Sequence, residues 1–371
     1  MDKTDLDRLL VMLAEMDGSD LHLKAGAPPR VRVAGVLRTL EDEPAFTVEE
    51  VEALALAIIP PNMRATFEKQ HELDFAYGVH GTGRFRVNAF YQRSSVALAM
   101  RRVRPNASTV EELGLPDVLN NLAEEQRGLV LVTGPTGSGK TTTLAAMVDH
   151  INHTRPCHIV TIEDPIEYLH SDDLAAIDQR EVGFDTNSFQ SAMRVVLRQD
   201  PDVILVGEMR DTETVSAALT AAETGHLVLS TLHTINATET INRIVDFFPP
   251  HQQTQIRVGL AGSLKGIVCQ RLLQTSNQKN RVPAVEVMVV NGRIQQAIID
   301  PLNNADIQEI VADGDYYGMV TFDQSLVRLV EKETITIAEA MAAASNAHDL
   351  RVMLERQGII QTGQFIAANI A

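Results

Sequence analysis

Gly128-Leu129-Val130-Leu131-Val132-Thr133, followed by Gly134-Pro135-Thr136-Gly137-Ser138-Gly139-Lys140-Thr141-Thr142, decides the fold of this chain. An apolar, β-rich run opens directly into an unbroken G-x-x-x-x-G-K-T, and Thr142-Thr143-Leu144-Ala145-Ala146-Met147 then reads as helix. That strand, loop and helix setting separates a phosphate-binding loop from a mere glycine-rich turn. The glycines let backbone N–H groups close around phosphate oxygens. Lys140 reaches the β- and γ-phosphates, and the Thr141 hydroxyl can ligate Mg²⁺ at the helix N-terminus. Gly134, Pro135, Thr136, Gly137, Ser138, Gly139, Lys140, Thr141 and Thr142 are therefore the predicted contacts of a nucleoside triphosphate.

Downstream of this unit, short apolar runs alternate with helix-compatible segments. Leu129–Thr133, Ile159–Ile162, Val203–Val206 and Leu227–Leu232 read as strands of a doubly wound sheet with a buried parallel core. Each run ends in polar chemistry: the first in the phosphate loop, the second in Glu163-Asp164, the third in Gly207-Glu208, the fourth in His233. Ligands of open α/β sheets sit outside the carboxyl ends of the strands, so the four ends predict one assembled site. From about residue 285 the pattern is mainly helical, with Leu326, Leu329 and Val330 on one stripe.

Upstream, Leu6, Leu9, Leu10 and Leu13 recur at helical spacing. Leu21–Lys24, Arg30–Val33 and Arg84–Phe90 alternate apolar with polar, as half-buried antiparallel strands do, and a helical stretch runs from about Val48 to Ile59. Residues 1–105 read as an α+β domain. The polar, turn-forming Arg104-Pro105-Asn106-Ala107-Ser108-Thr109 opens a linker placed at 106–125, ahead of a core at 126–284 and a helical region at 285–371.

The 371 residues, 44% of them hydrophobic, are enough for two or more domains. Their 49 acidic and 32 basic residues leave a net charge of −17, which repels a phosphate backbone, so no nucleic-acid partner is expected. Cys157 and Cys269 stand apart, with neither zinc spacing nor a disulfide framework, which fits a reducing cytoplasm. Met1-Asp2-Lys3-Thr4-Asp5-Leu6-Asp7 is no signal sequence, and no apolar run approaches the ~18 residues of a membrane span. No direct membrane insertion is expected; membrane association would go through partners.

Hydrolysis of a γ-phosphate needs held Mg²⁺, a carboxylate that orients water, and positive charge on the transition state. Glu208 is the predicted water-activating base, and Glu163 supplies a second carboxylate, on the Mg²⁺ side or holding the water. His226 and His233 bracket the fourth strand as candidate γ-phosphate sensors; seven residues apart, they project to opposite ends and cannot share an ion. Arg84, Arg86, Arg93, Arg101, Arg102 and Arg104 form either a solvated face or a source of guanidinium for phosphate oxygens, acting in trans if the first domain docks on a neighbouring subunit.

Taken together, Gly134–Thr141, Thr161-Ile162-Glu163-Asp164-Pro165-Ile166-Glu167, Gln179-Arg180-Glu181-Val182, Leu197-Arg198-Gln199-Asp200-Pro201-Asp202, Gly207-Glu208-Met209-Arg210-Asp211 and Ala222–His226 with Ser230–Thr234 resemble the Walker A, Asp-box, Walker B and His-box set of the secretion ATPase superfamily. They are most similar to the type IV pilus retraction ATPases, the PilT-like group. The resemblance implies an α/β fold with a RecA-like P-loop core behind an N-terminal PAS-like α+β domain, assembled as a homo-hexameric ring in the cytoplasm. It implies ATP and Mg²⁺ as cofactors, Glu163 and Glu208 as catalytic carboxylates, His226 and His233 near the nucleotide, and Arg86 and Arg101 donated to the nucleotide site. An inner-membrane pilus platform protein and other pilus ATPases are the implied partners, with the ring peripheral to that membrane and the pilus as its load.

No four-cysteine module of the extension and type II secretion motors is present. The retraction signature, however, stands here as Arg293-Ile294-Gln295-Gln296-Ala297-Ile298-Ile299-Asp300, with Gln295 and Ile299 where the family carries arginines. An accessory retraction motor of the PilU kind is thus a variant of the same reading. The rivals are an assembly or type II secretion motor of the superfamily and, from another class, a slow-hydrolysing, nucleotide-gated signalling or binding module. A nucleic-acid translocase is opposed by the −17 balance.

Overall fold

A computed structural model of the chain describes residues 3–104, 107–300 and 307–360. Pro105 and Asn106 of the expected linker, and residues 301–306 and 361–371 of the expected helical region, lie outside the described residues. The chain divides into two compact units: residues 1–106 with Ile166–His170, and the remainder.

In the first unit the helix Lys3–Glu15 buries Leu6, Leu9, Leu10 and Leu13, the stripe that their spacing predicts. Six strands follow: β1 (Gly18–Lys24), β2 (Arg30–Val33), β3 (Val36–Thr39), β4 (Glu72–Val79), β5 (Gly83–Gln92) and β6 (Ser95–Arg102). They form one antiparallel sheet in the order β3-β2-β1-β6-β5-β4. The helix Val48–Ile58 starts on a capping box in which Thr47 and Glu50 satisfy each other's backbone N–H groups. Its Val51, Leu54, Ala55 and Ile58 pack with Leu21, Phe85 and Val87 in this unit's core.

The second unit holds β7 (Gly128–Thr133), β8 (His158–Glu163), β9 (Ala176–Glu181), β10 (Val203–Val206), β11 (Leu227–Leu232), β12 (Leu264–Gln274) and β13 (Arg281–Val289), in the order β13-β12-β7-β11-β10-β8-β9. All neighbours are parallel except β12 and β13. Every residue of β7, β10 and β11 is buried, as central strands covered on both faces must be. At roughly 1.5–3 kcal/mol per buried aliphatic side chain, these strands make a stiff platform. In-register pairing brings the carboxyl ends of β7, β8, β10 and β11 to one edge of the sheet.

Two sequence expectations differ from this architecture. Within the stretch read as a linker, Val118–Ala123 is a helix, and Val110, Leu115, Val118, Leu119 and Leu122 are buried against Val130 and Leu144. Glu111, Glu112 and Asp117 lie on the exposed side of this stretch. The region expected to be mainly helical from 285 begins inside β13, and helix starts only at Gly292. Neither β12 nor β13 was anticipated: the helix Pro250–Ser263 runs straight into β12 with no turn residue between them, and Pro283 breaks up β13's apolar run.

Candidate active site

The loop after β7 turns on glycines with positive φ: Gly134 (+142°), Gly137 (+78°) and Gly139 (+93°), of which Gly139 caps the helix Lys140–Thr154. Its crown, Pro135 to Gly137, is exposed, while Gly134 and Ser138 at its base are buried. Lys140 Nζ donates to the carbonyls of Gly134 (2.8 Å) and Pro135 (3.0 Å) and so points across the loop. Burial pushes the Lys140 ammonium below the usual lysine range, and the charge of Glu208 offsets this only in part. Lys140 and Glu208 therefore share one electrostatic site, although 68 positions separate them in sequence.

Glu208 is carried by the segment that leaves β10. Met209 is buried, and Asp211 caps the helix Thr212–Glu223 by accepting from Thr214 N (2.9 Å). Beside these anchors Glu208 meets Arg210 (2.7 Å) and His233 Nε2 (3.1 Å). Burial opposes the Glu208 charge, but the Arg210 hydrogen bond and the His233 and Arg210 charges outweigh it, holding the carboxyl below the usual range. Glu163, the buried last residue of β8, accepts from Thr161 Oγ1 (2.7 Å) and Gln179 Nε2 (3.0 Å) on one oxygen. One backbone and one side-chain bond tie these ends together: Gly207 N donates to Ile162 O (2.8 Å) and Thr231 Oγ1 to Gly207 O (2.6 Å).

His226 does not join them. It precedes β11 at the opposite edge of the sheet, where its carbonyl accepts from Gly128 N (2.9 Å) and its Nδ1 pairs with Ala221 O (3.0 Å). Parallel in-register strands put their starts at one edge and their ends at the other, roughly 20 Å away for this length. Within one chain, then, His233 lies at the sheet edge that carries the phosphate loop and Glu208, and His226 lies at the other.

Arg86 and Arg101 belong to the first unit, described by itself. They are direct cross-strand partners on β5 and β6, and Arg101 in turn faces Asp20 on β1, whose other partner is Arg32 on β2. Arg101 Nε donates to Asp20 Oδ1 (2.8 Å). Burial opposes charge on Asp20, but Ser19 and Arg101 hold its carboxyl below the usual range. A row of three guanidiniums and one carboxylate thus crosses four strands. Like charges placed opposite one another are unfavourable unless an anion lies between them.

A family profile described as type II/IV secretion system protein matches residues 19–361. The chain belongs to that family. Among members of this secretion system family, the type IV pilus retractation ATPase PilT of Pseudomonas aeruginosa is 44% identical over 340 residues, covering 92% of this chain and 98% of PilT. The type IV pilus ATPase PilU of the same organism is 41% identical over 351 residues, covering 95% and 91%. A crystal structure of the pilus retraction motor PilT with bound ADP superposes with a TM-score of 0.84 at 45% identity, covering 94% of this chain and 99% of that one. The α/β architecture is the one the resemblance implies, a RecA-like core with an N-terminal α+β domain. Among the described residues, no helix is long and apolar enough to cross a membrane.

Three residues at this secretion-family site were given no role from the sequence: Gln179, Arg210 and Gln270. Gln179 and Arg210 lie inside quoted motifs, but only the fold shows that they touch Glu163 and Glu208. Gln270 sits on a strand that the sequence did not reveal.

Proposed function

We propose that this chain is a Mg²⁺-dependent ATPase working as a homo-hexameric ring motor for type IV pilus retraction. The observation that carries the reading is that the in-register strands β7, β11 and β10 bring the Lys140 loop and the segment bearing Glu208 to one sheet edge. A triphosphate gripped there would have an ionised carboxylate beside its terminal group. The loop suits a phosphate group: Ser138 Oγ is buried without a hydrogen-bond partner among the described residues, and the three positive-φ glycines leave backbone N–H groups free of side-chain bulk. Thr141 and Glu163 would hold Mg²⁺, Glu163 directly or through water. A hydroxyl and a carboxylate are the hard oxygen donors this ion takes, and it commonly uses few protein ligands. When bound, the ion would neutralise charge on the phosphate oxygens.

In this reading Glu208 orients the attacking water, His233 senses the γ-phosphate through its contact with Glu208, and Lys140 holds the β/γ-phosphates. The Arg86 and Arg101 pair would meet the nucleotide of a neighbouring subunit, whose negative charge relieves the crowding of guanidiniums on that sheet face. Arg86→Ala is expected to slow turnover in the assembled ring about 100-fold while sparing nucleotide binding by isolated subunits. A normal ring rate would remove the trans contact.

Retraction is favoured by the relatives' names and by near-complete mutual coverage. The partners would be an inner-membrane platform protein and other pilus ATPases, placing the ring in the cytoplasm against that membrane. The two departures from the retraction signature, Gln295 and Ile299, are exposed on the helix Gly292–Ile299, whereas Ile294, Ala297 and Ile298 are buried. They change a surface and not the fold, which keeps the accessory-motor variant alongside a principal motor. Deleting the gene and scoring surface filaments tests the assignment: surplus pili without motility are expected, and loss of pili would indicate an assembly motor. An ATPase rate unchanged by added DNA is expected as well, and stimulation by DNA would overturn the exclusion of a translocase.

A further inference from the structure

β12 runs parallel to β7 with Cys269 level with Thr133, so Gln270 falls beside the first residue of the phosphate loop. Gln270 is 3% exposed and touches the loop at both ends. A Cβ on Gly134 would overlap the Gln270 carbonyl oxygen, and one on Gly139 would lie 2.8 Å from Gln270 Nε2. The amide is also oriented: Thr143 Oγ1, one turn into the helix, donates to Gln270 Oε1 at 2.7 Å in a buried bond. That bond turns Nε2 toward Gly139. The two glycines that frame G-x-x-x-x-G are thus close-packed on one residue of a strand more than a hundred positions downstream.

We infer that Gln270 is a positioning residue for the nucleotide, a strut that fixes the opening of the phosphate loop through its contacts with Gly134, Gly139 and Thr143. The inference rests on the nucleotide-hydrolysing reading above and extends it to a residue that touches no phosphate. Loop backbone N–H groups bind phosphate oxygens only when they converge, and a buried amide braced at both ends keeps them converged in the free protein. Truncating it opens a cavity under Gly139 and leaves the Thr143 hydroxyl buried without its partner.

The test is steady-state ATP hydrolysis by the full chain, with binding of a fluorescent ADP analogue measured in parallel. Gln270→Ala should raise the KM for ATP and the Kd for the analogue about 10-fold, while kcat changes less than about 3-fold. Thr143→Val should do the same, and the double variant should be no worse than either single one, because both remove the same bond. Thr143→Ser keeps the donor and should restore wild-type values. An unchanged KM, a fall in kcat alone, or additive losses in the double variant would each overturn the inference. If Gln270→Ala does not fold, the Thr143→Val and Thr143→Ser pair carries the same test. Wild-type protein that binds no nucleotide would instead sink the underlying reading, so the two failures are distinguishable.

Discussion

Lys140→Ala is expected to lower affinity for adenine nucleotide at least about 100-fold and leave the fold intact. The ammonium spans the loop to Gly134 O and Pro135 O, so it sits where phosphate charge would gather. Its partial burial, which lowers its pKa, means that a bound phosphate faces a cation poorly screened by water, and charge-assisted bonds are strongest there. Removing a buried charged partner costs roughly 2–5 kcal/mol, which is the origin of the expected factor. The fold should survive because residue 140 opens the helix Lys140–Thr154, where alanine is an excellent former, and Pro135, one of the two residues whose carbonyls it meets, is exposed. Titration with a fluorescent ADP analogue, beside a thermal melt, checks both halves. An affinity within threefold of wild type would remove Lys140 from the phosphate grip.

How much of this site could be read from the chain follows from how local each part is. The phosphate loop, its strand and its helix lie within 27 consecutive residues, Gly128 to Thr154, so composition and spacing disclose them together. The ends of β8, β10 and β11 were also legible, because a buried apolar run that stops at a carboxylate or histidine breaks its own pattern. Gln270 was not legible. It lies in Val268-Cys269-Gln270-Arg271, where nothing marks a strand, and its worth depends on a register with β7 that only tertiary pairing creates. Gln179 is similar: β9 is a half-exposed edge strand without an apolar run, and its contact with Glu163 requires the parallel pairing of β8 and β9. His226 shows a different limit. Strand spacing placed it at the far end from His233 while family resemblance placed both at the nucleotide, and within one chain the strand geometry prevails.

Glu208→Gln should bind ATP as well as the wild type does and hydrolyse it at least about 100-fold more slowly. The substitution keeps the side chain's length and an acceptor for Arg210 or His233, so the segment anchored by Met209 and Asp211 should keep its path. What it removes is the negative charge. Because Glu208 is held below the usual carboxylate range, it is a weak proton acceptor, and under the proposed mechanism its contribution would be to hold and polarise water beside a loose phosphoryl-transfer transition state. The sign of its pH dependence follows. A lowered folded pKa means that stability from its Arg210 and His233 contacts is complete above the ordinary glutamate value and disappears as pH falls through the lowered folded value. In the wild type, therefore, the fall of turnover in acid should begin below the ordinary glutamate range, and Glu208→Gln should lose that limb along with the rate. Phosphate release measured from pH 3 to 9, with ATP binding measured in parallel, checks both statements. Loss of binding equal to that of Lys140→Ala would place Glu208 in the grip on the nucleotide and take from it the role of readying water.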